Sequence, residues 1–290
     1  MIGIHRLFKF AKKLTRFLCQ KLHEKSSLPY NYYQWIGIFN KFRPLYSFLA
    51  DAEKICIVSK GASLAELPDE KIYFEITQAD LTILVSSVDI QNHPVLSKLT
   101  YDMQVVGRVD EIEGYVPVFP KQILDHFEIG ALCVNSNSKY LSGLALYRFY
   151  KFFSKLGLPL YSTEGGISFV SEDARIYNGK GLTIIQKIIS HCLMSKKLKT
   201  ITFLGVDFYG TGYLDSLRDK EKNELSLFPE INTLSTDPRN NRGIPLIRYL
   251  IALANSPKMS VQLCFPEEIV KFIPHLYKRD FETAKKITIF

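Results

Sequence analysis

Short apolar runs of strand character, separated by stretches with helical spacing, recur along this chain and leave few folds open to it. The strand-like runs are Lys54–Ser59, Lys71–Ile76, Leu81–Val85, Val105–Val109, Ile129–Asn135, Lys199–Gly205 and Val261–Phe265. Between and after them, Tyr140–Leu156 and Gly181–Met194 read as helices, the second through Leu182, Ile185, Ile188 and Ile189. Ile244 to Leu253 is helical by the same spacing, and Glu267–Tyr277 is predicted as a helix starting after Pro266. Strands alternating with helices predict an α/β fold with a single doubly wound, mostly parallel sheet. Ligands of such sheets bind beyond the carboxyl ends of the strands. A chain of 290 residues can bury one such core with an appendage.

The appendage is at the amino end. Ile4, Leu7, Phe8, Ala11, Leu14, Leu18 and Leu22 recur at three- and four-residue steps among Arg6, Lys9, Lys12, Lys13, Arg16 and Lys21. These six cations carry most of the net charge of +8; the rest of the chain has 31 basic residues (37 less these 6) against 29 acidic ones. A near-neutral body does not ask for a nucleic-acid partner. The basic amphipathic stretch is expected to hold residues 1–25 on an anionic membrane surface; a helix packed on the protein's own body is the plainer alternative. The predicted organisation is residues 1–50 as basic helix and connector and residues 51–290 as the ligand-binding domain. No run reaches the length of a transmembrane helix, and the amino end lacks the apolar centre of a signal peptide. Five scattered cysteines without Cys-x-x-Cys spacing suggest neither zinc nor a disulfide framework, and a reducing cytoplasm is the expected compartment.

Two strand ends carry residues suited to chemistry. The run Ile55-Cys56-Ile57-Val58-Ser59 leads into Lys60-Gly61-Ala62-Ser63. A small-residue turn after a buried strand presents backbone N–H groups to an anion, with Gly61 permitting close approach and Ser63 supplying a hydroxyl. A plain turn is the alternative, since neither G-x-x-x-x-G-K-[ST] nor G-x-G-x-x-G is present. The second strand ends in Gly205-Val206-Asp207-Phe208-Tyr209, followed by Tyr213. It puts an acid at the sheet edge, where capping of the next segment is the competing role. Residues 210–242 lack a clear period and read as a lid.

These runs resemble the bacterial sialyltransferases of glycosyltransferase family forty-two. Ile57-Val58-Ser59-Lys60-Gly61-Ala62-Ser63-Leu64 is similar to that family's "strand–xGxGPSL" element, and Gly205-Val206-Asp207-Phe208-Tyr209 to its "S-G-[IV]-D-F-Y" segment. Leu263-Cys264-Phe265-Pro266 matches its "L-x-C-x-P" strand, and the resemblance spans roughly residues 54–275. It implies a Rossmann-like fold of the variant GT-A type and an inverting, metal-independent transfer of a nonulosonic acid, such as sialic acid or Kdo. The donor would be CMP-activated and the acceptor a bacterial surface glycan, including a lipid-linked one, at the inner face of the cytoplasmic membrane. By position, Tyr209 and Tyr213 match the tyrosines that contact the phosphate. Lys60, Gly61, Ser63, Gly205, Asp207 and Phe208 fall in the nucleotide-contacting segments, and Asn178 is the nearest counterpart of a Thr-Ser-Gly helix start.

The chain departs from the family in two ways that bear on chemistry. Lys60 stands where Asn is common, and could reach a phosphate as a point charge. The family's basic histidine lies in the lid, whereas residues 192–274 contain no histidine. Asp237 is nearest that position and is the candidate general base. A protein of the same fold that binds nucleotide or glycan without catalysis is the alternative reading.

Overall fold

Parallel pairing, strand against strand from one edge to the other, organises this protein. The structure is a computed structural model and describes residues 41–59, 61–85, 93–106, 112–113, 116–117, 127–135, 149–163, 184–208 and 243–290. In chain order the elements are β1 (Arg43–Pro44), α1 (Leu45–Leu49), β2 (Lys54–Val58), α2 (Asp69–Thr77), β3 (Leu81–Val85), β4 (Met103–Val106), β5 (Ile112–Glu113), β6 (Val116–Pro117), β7 (Leu132–Val134) and β8 (Leu160–Ser162). They continue with α3 (Ile184–Cys192), β9 (Thr200–Leu204), α4 (Gly243–Ala254), β10 (Gln262–Phe265), α5 (Glu267–Val270), α6 (His275–Glu282) and β11 (Ile287–Ile289). Nine of the described strands form one sheet in the order β1-β8-β7-β4-β3-β2-β9-β10-β11, with every neighbouring pair parallel. β5 and β6 pair antiparallel apart from it. The fold is the expected single α/β sheet.

That strand order contains a reversal. From β2 the chain steps outward through β3 and β4, then returns at β9 to the other side of β2 and steps away through β10 and β11. The crevice between β2 and β9 is therefore the topological switch point, where the loops diverge to opposite faces and leave room for a ligand.

Burial explains why the central strands read as unbroken apolar runs. Ile55, Cys56, Ile57 and Val58 of β2 are all buried, as are Ile201, Phe203 and Leu204 of β9, because helices and loops cover both faces of a parallel sheet. Ile55, Ile57, Ile83, Met103, Ile201 and Phe203 share the main core with Leu45, Leu49, Ile188 and Leu250 from the helices. Phe203, Phe265, Phe281 and Phe208 form an aromatic cluster at one end of it, with Phe203 and Phe265 stacked at 4.6 Å.

Several elements differ from expectation for identifiable reasons. Lys71–Ile76 is helix, not strand: Asp69 and Glu70 occupy the first turn after Pro68, where acids and a preceding proline favour helix initiation. Ile72 and Ile76, four apart, are its buried face, while Tyr73 and Phe74 are exposed. Glu267–Tyr277 is two helices, α5 and α6, interrupted before Pro274, which cannot continue a helical ladder. The compact unit begins at Phe42; Leu45 and Leu49, assigned above to the connector, are fully buried. The basic amphipathic helix and the lid lie outside the described residues. Within Tyr140–Leu156, residues 149–153 are helical and Ser154–Leu156 form a 3-10 turn. No described helix is long and apolar enough to cross a membrane.

Helix α3 is buried around its whole circumference, polar residues included: Gln186, Lys187, Ser190 and His191 are each almost without exposure. The His191 ring lies nearly parallel to Tyr46 at 6.3 Å. Burial pushes its pKa below the ordinary 6.5, against the pull of the nearby Thr163 backbone, and the charge of Lys187 adds to the depression. The unfolded chain thus takes up a proton near pH 6.5 that the folded one resists, so this group costs stability as pH falls through that value. Between about pH 7 and about pH 5 the melting temperature of the native protein should fall more steeply than that of His191→Phe. Equal slopes in thermal denaturation would show that His191 is not the acid-sensitive group.

Candidate functional site

β2 and β9 pair in register from Lys54↔Thr200 to Val58↔Leu204, and their hydrogen-bond ladder does not stop where the strands do. Ser59 N–H donates to Leu204 O at 2.8 Å, and Gly61 N–H donates to Gly205 O at 2.8 Å. The turns after the two strands are thereby zipped together over the switch point. Two residues beyond, the Ser63 N–H donates to Asp207 Oδ2 at 2.9 Å, and the Ser63 hydroxyl donates to Asp207 Oδ1. One carboxylate from the β9 turn so accepts two hydrogen bonds from the β2 turn, across 144 residues of sequence. Ser63 is fully buried and Asp207 is 5% exposed.

The glycines of both turns follow from this closeness. Gly61 has φ −67°, a conformation open to any residue, so its backbone does not require glycine. Space does: a Cβ at position 61 would overlap the carboxylate of Asp207. Gly205 is different, since its φ of 65° lies in the left-handed region and a Cβ there would stand 2.8 Å from Leu64 and from the Ser59 carbonyl. Phe208 also has a positive φ, 52°, without being glycine, which costs energy that surrounding contacts must offset. Its ring supplies them, 5.7 Å from Phe281 and 6.1 Å from Phe265.

Five of the residues expected at the site are among the described ones. Gly61, Ser63, Gly205, Asp207 and Phe208 come together at the carboxyl ends of β2 and β9. Their polar groups face one another rather than an open space: the Gly61 N–H, the Ser63 N–H and the Ser63 hydroxyl all have internal acceptors. The Phe208 ring is part of the core. Lys60, Asn178, Tyr209, Tyr213 and Asp237 lie outside the described residues.

Further along the same sheet edge is a polar group that sequence reading missed. Lys187 in α3 is buried and donates to Oδ1 of Asn135, which follows β7. In the run Ile184-Ile185-Gln186-Lys187-Ile188-Ile189 the two polar residues look like an ordinary solvated face; only the burial of the whole helix distinguishes them. Among the described residues no cluster of His, Cys, Asp and Glu could hold a metal ion. Cys56, Cys133 and Cys192 are buried free thiols, each pushed upward in pKa chiefly by burial and so poor nucleophiles. His93 is buried and its Nδ1 accepts from the Val95 and Leu96 N–H groups at 3.3 Å.

No protein-family model and no curated protein sequence matches the chain. Among solved structures, the chain is similar to the sialyltransferase CstII from Campylobacter jejuni in complex with CMP-3FNeuAc, at 17% identity and a TM-score of 0.46 over 72% of this chain and 81% of that one. CstII with cytidine-5'-monophosphate gives 18% and 0.44 over 73% and 79%. An α-2,3-sialyltransferase from Campylobacter jejuni in apo form gives 19% and 0.38 over 73% and 74%. At these values the likeness is distant and says nothing about chemistry.

Replacing Gly205 by Ala would combine a left-handed Cβ with the contacts to Leu64 and Ser59. The variant should lose about 2 kcal/mol or more of unfolding free energy in chemical denaturation. A loss within about 0.5 kcal/mol would mean that the β9 turn relaxes freely.

Proposed function

We propose that the protein is a glycosyltransferase that moves a nonulosonic acid from its CMP-activated donor to a bacterial surface glycan with inversion. One observation carries the reading. The two segments that resemble the family's nucleotide-contacting elements, far apart in sequence, stand side by side at the switch point of the sheet, where α/β folds bind nucleotides. The resemblance and the topology are independent lines, and both select the carboxyl ends of β2 and β9.

In this mechanism the bond between the anomeric carbon and the CMP phosphate oxygen breaks as the acceptor hydroxyl attacks from the opposite face. Negative charge develops on the departing phosphate, and the phenols of Tyr209 and Tyr213 stabilise it by donating hydrogen bonds. Lys60, beside Gly61, adds a positive point charge. Asp237 takes the acceptor's proton; a carboxylate with an ordinary pKa of about 3.9 is a weak base unless its surroundings raise that value. The reaction needs no metal. Residues 1–25 would hold the enzyme on the inner face of the membrane, near a lipid-linked acceptor.

CMP release from CMP-sialic acid, CMP-Kdo and related donors, with lipid-linked glycans as acceptors, tests the proposal. Tyr209→Phe and Tyr213→Phe should each lower turnover by about 10²-fold, the scale of a lost transition-state donor, with smaller changes in KM. Unaltered turnover in both would remove them from the phosphate. Asp237→Ala should abolish transfer; full activity would exclude it as the base.

The absence of histidine from residues 192–274 favours one competing reading, a protein that binds nucleotide or glycan without turning it over. Calorimetry separates the two. CMP binding without CMP release from any donor in the screen identifies the binder.

A further inference from the structure

The β2 turn has the residue types of a phosphate cradle, yet the structure gives its donors to a carboxylate of the same chain. The Ser63 N–H and hydroxyl both end on Asp207, and the Gly61 N–H ends on Gly205 O. The missing Cβ at position 61 makes room for the Asp207 carboxylate and not for a ligand, since the backbone there is ordinary at φ −67°. Asp207 is 5% exposed and Ser63 is fully buried, so the pair forms an internal brace below the surface that a ligand would meet.

From this geometry we infer that Asp207 is a positioning residue, and that Gly61 and Ser63 serve it. Together the three form a clasp that holds the β2 turn and the β9 turn at one fixed separation. The clasp acts on the segment that matters for chemistry. Immediately after Asp207 the backbone passes through the positive φ of Phe208, whose ring is held by Phe265 and Phe281. An unfavourable conformation persists only where neighbours over-determine it. Here the neighbours are the carboxylate on one side and the aromatic cluster on the other. The conformation of Phe208, the last described residue before Tyr209, is set between them.

This gives Gly61, Ser63 and Asp207 a joint role, where the resemblance gives each a separate contact with the nucleotide. The two assignments make opposite statements about Gly61. If glycine is needed for the ligand, its replacement harms binding whatever stands at 207. If it is needed for Asp207, the harm disappears once the carboxylate is removed.

The test is a double-mutant cycle on the full chain with Gly61→Ala, Asp207→Ala and the combined variant, read by thermal unfolding and by calorimetric titration with CMP. Gly61→Ala should lower the melting temperature in the native background and leave it unchanged within error in the Asp207→Ala background. That readout needs no ligand. An equal drop in both backgrounds would overturn the clasp. The binding readout rests on the proposed function: Gly61→Ala and Asp207→Ala should each weaken CMP binding by at least tenfold, with the combined variant no more than about threefold weaker than Asp207→Ala alone. Native protein that fails to bind CMP would sink the nucleotide reading while leaving the unfolding cycle as a test of the clasp.

Ser63 gives a milder probe should the alanine variants fold poorly. Ser63→Ala removes one of the two bonds and should weaken CMP binding, while Ser63→Thr keeps the hydroxyl and should restore it. Binding that is indifferent to both changes would show that the clasp does not position the site.

Discussion

The hydrogen bonding of one buried carboxylate to a turn 144 residues away is the interaction on which the site depends. Two parallel strands can lie side by side while their following loops splay apart, since the ladder sets only the strands. In this protein the ladder runs on through Ser59 and Gly61, and Asp207 closes it on Ser63. Water cannot compete well for these groups, because both side chains are buried, and a buried polar group left without a partner is costly. Two donors of the β2 turn offset the cost of burying the Asp207 oxygens. The switch point thus begins from a rigid floor instead of two independent loops.

That floor changes what the glycines and the serine mean. A strand followed by Lys-Gly-Ala-Ser invites reading as an anion site, since its donors are of the right type. The structure shows those donors already satisfied within the protein. Ligand contacts at this edge must then come from groups other than these donors, and under the proposed function those are Lys60, Tyr209 and Tyr213. The aromatic cluster of Phe203, Phe208, Phe265 and Phe281 supports the same point from below, so a core feature and a site feature meet at Phe208.

The parallel sheet was legible in the sequence because its central strands are buried on both faces and therefore appear as continuous apolar runs. β2, β3 and β9 were found within a residue or two for that reason. Their juxtaposition at a switch point is not written in any local pattern, because alternation of strand and helix does not fix strand order. α2 was misread because Ile72, Tyr73, Phe74 and Ile76 are strand-favouring types, and the acids after Pro68 that start a helix were given too little weight. β8 and β11 are not legible, because each is three residues long and lacks the longer apolar run that marks β7. The brace could not have been read locally at all: Asp207 and Ser63 are meaningful only as neighbours in space, and either alone resembles a common capping or turn residue. The burial of Lys187 and His191 was hidden for a related reason, since polar residues in an amphipathic helix ordinarily face water.

The most direct test of the account is a crystal structure of the full chain with CMP. The nucleotide phosphate should lie beyond the carboxyl ends of β2 and β9, within hydrogen-bonding reach of Tyr209 or Tyr213, with both Ser63–Asp207 bonds intact. CMP bound elsewhere on the protein would contradict the switch-point site. A phosphate seated on the Ser63 N–H and hydroxyl, with Asp207 pushed aside, would contradict the clasp and restore the β2 turn to the role of a phosphate cradle.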